Sequence, residues 1–143
     1  MKKIFMVSLA SMFSILGVAA LSGCSKEDAA AKKVDVSAMT EALKSGDSQA
    51  RENACIELAK AGPGASPAVA ALIPLLKDND AEIRRLAAYA LGEIGPQAKA
   101  ALPALAELAS DPERRVAMQV VNSLRSIDPK NYSGLKNETA TSP

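Results

Sequence analysis

The sequence predicts an all-α protein, an α-solenoid of about three antiparallel helical hairpins, on three observations. Gly62-Pro63, Gly95-Pro96 and Asp128-Pro129 recur at a spacing of 33 residues, a period that belongs to stacked supersecondary units rather than to one folded core with a built-in active site. The same offset joins Asp78 to Asp111, Asp47 to Asp80 to Glu113, Arg51 to Arg84, Leu58 to Leu91 to Leu124, and Ala61 to Ile94 to Ile127. Between Val34 and Asp128 nearly every apolar residue falls at helical spacing, the pattern of amphipathic helices.

In chain order, Met1-Lys2-Lys3 opens a charged start, an apolar run follows from Ile4 to Ala20, and Leu21-Ser22-Gly23-Cys24 closes it. That is the anatomy of an export signal over residues 1–23. An uncleaved spanning helix is the alternative, because the apolar run approaches the roughly 20 residues that cross a bilayer. Ser8, Ser11, Ser14 and Gly17 weaken it, and no positive cluster follows as a stop-transfer flank. The four residues ending at Cys24 resemble the lipobox of bacterial lipoproteins. The resemblance implies that Cys24 is lipidated and becomes the first residue of the mature protein, anchored to a membrane of the cell envelope. Acyl chains at ~0.8 kcal/mol per buried methylene anchor a domain stably without a spanning helix. Ser25 after the cysteine resembles the signal for the outer membrane, facing the periplasm, in a Gram-negative host. Residues 24–33 read as the lipidated cysteine and a flexible tether of mixed charge, without an apolar face.

The first expected helix, Val36 to Ser45, matches the second helix of a preceding repeat through Val36, Met39 and Leu43. A hairpin follows, Ser48 to Ala61 and Ser66 to Lys77, the latter burying Val69, Leu72, Ile73 and Leu76, with Pro74 bending or starting it. The central helix has the fullest set of signals. Ile83, Leu86, Ala87, Ala90, Leu91 and Ile94 share one stripe, Asp80 is a good N-cap, Gly95 can take a left-handed cap, and Pro96 forbids continuation. Its partner runs from Gln97 to Ala109, and the last helix from Glu113 to Ile127 on Val116, Val120, Leu124 and Ile127. The repeat domain therefore spans 34–128, and the Asn, Ser, Thr and Gly-rich segment 129–143 is expected to be disordered.

Ile83-Arg84, Ala87-Ala88, Ala90-Leu91-Gly92, Ile94-Gly95-Pro96 and Ala101-Leu102-Pro103 resemble the HEAT-like repeat, in the short form named after phycobilisome lyases. The resemblance implies that Asp and Arg at recurring positions form hydrogen-bond ladders between repeats. It places Arg51 and Arg84, with Asp47 and Asp80, in that role. The third repeat has Ala117 instead, so the ladder is expected to stop there or pass to Arg114 or Arg115. The flanking repeats depart from the pattern, with Asn53 and Glu57 opposite Leu86 and Ala90, and Gln119 and Ser123 on the other side. These polar residues read as caps on the open ends of the stack.

Chemistry is sparse. The chain has no histidine, and Cys55 is its one cysteine besides Cys24, which removes the usual general base, zinc ligands and nucleophile dyads together. Asp78 with Asp80, and Asp111 with Glu113, precede helices and read as caps rather than as a catalytic pair. Cys55 aligns with Ala88 and Val121 and reads as a buried thiol, a reactive thiol being the alternative. No cofactor or metal set is expected. Removing Lys2 and Lys3 with the leader turns a formal charge of +1 into −1, and no basic run remains to neutralise nucleic-acid phosphates.

The surface is then left to carry function. Tyr89 is the one aromatic residue between Val34 and Asp128, on the outward face of its helix with Arg85. By the resemblance, the second helices line an inner face offering Glu41, Lys44, Lys77, Lys99 and Glu107 as partner contacts. The expected function is a lipid-anchored module that docks or assembles another protein at the envelope. Two alternatives stand beside it: a bilin-lyase-like enzyme or accessory subunit, implied by the resemblance, and a structural spacer that self-associates through its open ends.

Overall fold

A computed structural model describes residues 34–135. The leader, Cys24, the tether and the last eight residues of the tail lie outside the described residues. Those described are helical throughout: α1 (Val36–Ala42), α2 (Ser48–Ala61), α3 (Val69–Leu72), α4 (Ala81–Ile94), α5 (Leu102–Leu108), α6 (Arg114–Ile127) and α7 (Pro129–Tyr132), with 3-10 segments at Gly62–Ala68, Ile73–Lys77 and Gly95–Ala101.

The first helices of the repeats are α2, α4 and α6, each 14 residues long. Asp47 and Asp80 cap the first two, their Oδ1 atoms accepting from the amides of Gln49 (3.2 Å) and Glu82 (2.8 Å). Glu113 stands in the equivalent place before α6 and makes no side-chain cap; its extra methylene takes the carboxylate off the short path back to the helix amides. Gly62 and Gly95 end α2 and α4 at φ of 54° and 70°, a region closed to residues with a Cβ. Asp128 replaces them after α6 with φ −141°.

The second helices are not the continuous helices expected over 66–77 and 97–109. Each is a composite in which a 3-10 segment starting at Gly-Pro leads into α3 or α5, and Pro74 falls in a further 3-10 segment after α3. Prolines at 63, 67, 74, 96 and 103 remove amide donors at short intervals, so the i→i−4 ladder cannot settle until the chain has passed them. The tail also begins in order: Pro129–Tyr132 form α7, started by Asp128 accepting from the amide of Asn131, and Tyr132 packs on the core. Disorder from residue 129 is therefore corrected for these four.

Leu58, Leu91 and Leu124, one per repeat, are fully buried, as are Ile94, Ile127, Leu72, Leu76 and Leu105. Alanine lets the elements approach: Ala87, Ala88, Ala90, Ala98 and Ala101 are 0 % exposed. α4 packs between α2 and α6. On its α2 side the small pair at the crossing is Ala59 and Ala90, both buried; one period later it is Gly92 and Ser123. Ser123 is thus not a cap on an open end, as its polarity suggested. It is 1 % exposed inside the α4–α6 interface, and its one hydroxyl proton is within reach of the carbonyls of Ala88 (2.6 Å) and Gln119 (3.0 Å). Asn53 and Glu57 do lie on exposed surface of α2, bonded to Gln49 and Lys60.

A Cβ on Gly92 would fall 2.8 Å from Ser123 Oγ and 3.1 Å from its Cα and Cβ. The hydroxyl can rotate away, but the Cα cannot. Gly92→Ala gains about 1 kcal/mol of helix propensity and overpacks the interface at a cost of about 1–3 kcal/mol. The urea midpoint of this variant is expected below that of the wild type; a raised midpoint would show that α4 and α6 have room to spare.

Candidate functional site

The recurrent charged residues close on one another at the edge where first helices begin. Arg84 donates from Nε to Asp111 Oδ2 (2.8 Å) and from Nη2 to Asp111 Oδ1 (3.1 Å), while Nη1 reaches the carbonyl of Asp78 (2.8 Å). One period earlier Arg51 Nη1 donates to the carbonyl of Ser45 (2.8 Å), and its Nε lies 3.4 Å from Asp78 Oδ2 without an aligned hydrogen bond. Ser45, Asp78 and Asp111 are therefore equivalent positions: each side chain also accepts the amide two residues on, at Asp47, Asp80 and Glu113. A ladder between repeats exists, but its acids are Asp78 and Asp111 rather than Asp47 and Asp80, which cap their own helices. It stops at the third repeat, where Ala117 is buried and neither Arg114 nor Arg115 forms an ion pair among the described residues.

Burial acts to raise the Asp111 carboxyl, and the Arg84 hydrogen bonds, the Glu113 amide and the Arg84 charge outweigh it, so the group sits below its ordinary 3.8. Hydrogen bonding to Asp111 raises Arg84 in turn. Cys55 has no exposed surface, and burial pushes its thiol up to about 12 against the nearby Arg51. Little thiolate exists at neutral pH, so the buried-thiol reading of Cys55 holds and a reactive thiol does not.

The surface residues expected to meet a partner fall in two separate groups. Tyr89 is 37 % exposed on α4, one turn from Arg85, which pairs with Glu82 at the rim of an open groove between α4 and α6. Arg115, Met118, Gln119 and Asn122 form the other wall. Hydrogen bonds from Arg85 hold Glu82 below the usual carboxylate range. On the second-helix side, Lys77 reaches across to Glu107 (3.3 Å), and Lys44 pairs with Glu41 (2.8 Å) within one turn. Lys99 is exposed and adds a small field to Asp128, which the Asn131 side chain mainly holds low. The pairs on the second-helix side are exposed and the Arg85–Glu82 pair is partly so, and all contribute little to stability.

A family model of HEAT repeats matches residues 36–125. The chain belongs to the HEAT-repeat family. HEAT repeats generally mediate protein interactions. Its fold is similar to that of two engineered proteins of known crystal structure. The first shares 25 % identity at a TM-score of 0.56, over 65 % of this chain and 46 % of that one. The second shares 24 % at 0.55, over 64 % and 44 %. The HEAT chain thus spans less than half the length of either. No curated protein matches it.

Sequence reasoning missed Ser45, Asp78 and Asp111 as the ladder's acceptors. The signal was there in the recurrence of Asp78 at Asp111, but an acid 27 residues beyond its arginine is invisible to spacing within one helix. The folded carboxyl of Asp111 lies below its unfolded value, so its stabilisation is complete above pH 3.8 and is lost as the pH falls below that through the folded value. Asp111→Asn leaves Arg84 half-paired, so its deficit in melting temperature against wild type should be widest near neutrality and close on acidification. A deficit independent of pH would contradict the pairing.

Proposed function

We propose that this HEAT-repeat protein is a small, lipid-anchored docking module of the cell envelope, which holds or assembles another protein at the membrane. The observation that carries the reading is the division of its charged and aromatic residues. The recurrent ones, Arg51, Asp78, Arg84 and Asp111, close on each other, whereas Tyr89 and Arg85 have no counterpart in the neighbouring repeats, which carry Ile56 with Glu52 and Asn122 with Met118. Tyrosine and arginine are among the residues enriched at the hot spots of protein contacts. Surface that breaks the period, on a scaffold that keeps it, is where a specific partner is read.

The anchor rests on the leader and on Leu21-Ser22-Gly23-Cys24, the residues that resemble the lipobox. Among the described residues no helix is long and apolar enough to cross a membrane; attachment through Cys24 is the means of holding the module at the bilayer in this reading. With Ser25 next, the expected location in a Gram-negative host is the outer membrane, facing the periplasm.

One experiment joins both halves of the proposal. Cells expressing the wild type or Cys24→Ala are fed labelled palmitate, and each carries a photo-crosslinking residue at Tyr89, or at Lys60 as a surface control. Wild type should incorporate the label, fractionate with membranes and give a protein adduct from position 89 that position 60 lacks. Cys24→Ala should lose label and membrane fractionation together. Equal adducts from both positions would remove the docking face, and an unlabelled wild type would remove the anchor.

A further inference from the structure

α4 and α6 differ along the flank that each turns toward the C-terminal end of the stack. On α4 that flank is the stripe Ala81, Arg85, Ala88 and Gly92, at steps of four, three and four. The Ala88 carbonyl and Gly92 meet Ser123 of α6 directly. One period on, the same stripe of α6 reads Arg114, Met118, Val121 and Arg125. Arginine stands where the preceding helix has alanine and glycine. At Gly92 even a Cβ would crowd the helix seated on it, at 2.8–3.1 Å. A further helix in that register, whether from another repeat or from a second copy stacked end to end, would meet the whole stem of Arg125. The flank is therefore not built for continuation of the solenoid.

Its charge favours a different occupant. Arg114, Arg115 and Arg125 are the only charged residues of α6, and among the described residues none of them has an ion pair. Arg114 and Arg115 lie exposed in the first turn, which holds no acidic residue, and there the helix dipole disfavours cations. Glu82 sits across the groove from Arg115 but is engaged by Arg85. Arg125 is half-buried, and its Nε is shielded from solvent without an acceptor, an arrangement that costs stability. α2 and α4, by contrast, each carry two acids and two bases.

We propose that this flank of α6, together with Arg115 at its edge on the groove toward α4, docks an acidic segment of the partner protein, its carboxylates meeting Arg114, Arg115 and Arg125. The proposal rests on the docking-module reading and names the chemistry of the partner. Arg114 and Arg125 are 11 residues apart, which is about 16 Å along a helix axis, so three turns of a helix or a short extended strand span them. A half-buried guanidinium has less freedom than a fully exposed cation, and its remaining N–H groups suit a carboxylate held at one place. An anionic bilayer is met by freely exposed cations instead, and Arg125 is not one.

The test uses the full-length chain in neutral detergent and a fluorescent oligoglutamate peptide, read by anisotropy at low salt. Saturable binding is expected, falling steeply with added salt. Arg115→Glu should weaken it, and Arg114→Glu with Arg115→Glu should weaken it by about tenfold or more. Lys60→Glu changes the net charge as much as Arg115→Glu does and should leave binding within about twofold, being remote from α6 and already paired with Glu57. Melting curves confirm that each variant is folded. Equal losses for Lys60→Glu and Arg115→Glu would overturn the proposal, because net charge alone would then explain the binding. So would no binding to oligoglutamate, and so would indifference to the peptide combined with association with micelles doped with phosphatidylglycerol. A protein crosslinked at Tyr89 in cells, without oligoglutamate binding in vitro, would leave the docking module standing and remove only its acidic partner.

Discussion

A first helix in this stack has two flanks to cover, and among the described helices only α4 has a first helix against each of them. α2 lies on one side and α6 on the other, and the residues between them are alanine, glycine, serine and a buried cysteine. No hairpin of this size buries its apolar stripe by itself, so the interfaces on either side of α4 supply the core. The leucines at 58, 91 and 124 mark its axis, one to a repeat. With domains stable by only ~0.05–0.15 kcal/mol per residue, a defect in α4 weakens both interfaces together, whereas a defect in an end helix touches one.

The arginine–aspartate ladder acts on this frame as a register device. Arg84 meets four acceptors, both oxygens of Asp111 and the carbonyls of Asp78 and Asn79, and a fork held in that way accepts one rotation of a repeat against the next. Part-buried ion pairs give little net stability, because desolvation offsets their attraction. Their worth here is geometric: the ladder fixes where α6 starts relative to α4, and so where the α6 surface is presented. The ladder ends at Ala117, and among the described residues the cations of α6 have no ion pair.

Much of this was legible in the sequence. The cap at Asp80 and the stop at Gly95 place the central helix, and the 33-residue period carries the other two first helices to within a residue or so. Cys55 and the buried leucines follow from the same alignment of the repeats. The second helices were misjudged because apolar spacing cannot tell α from 3-10 geometry, and the prolines at 63, 67 and 74 decided it by removing donors. Ser123 was misjudged because polarity was read as exposure, when its hydroxyl bonds a carbonyl in a gap that Gly92 leaves open. Tyr132 and α7 depend on Asp128 acting as a cap after it fails to act as a glycine. The candidate surface was only half legible: Tyr89 and Arg85 stand out on their helix, but the unpaired flank of α6 appears only once the packing shows which stripe faces the end of the stack.

Structure and function meet in that asymmetry. The N-terminal open flank is closed by neutral and mutually paired polar groups at Asn53 and Glu57, while the C-terminal flank keeps cations without partners. Both ends depend on α4 for their position, so the central test lies in its core. Native-state hydrogen exchange on Leu91→Ala measures it most directly. Removing this buried leucine should lower the stability reported by the slowest amides of α2, α4 and α6 alike, by about 2–5 kcal/mol. Loss of protection confined to α4, with α2 and α6 unchanged, would contradict a stack held together through its central helix.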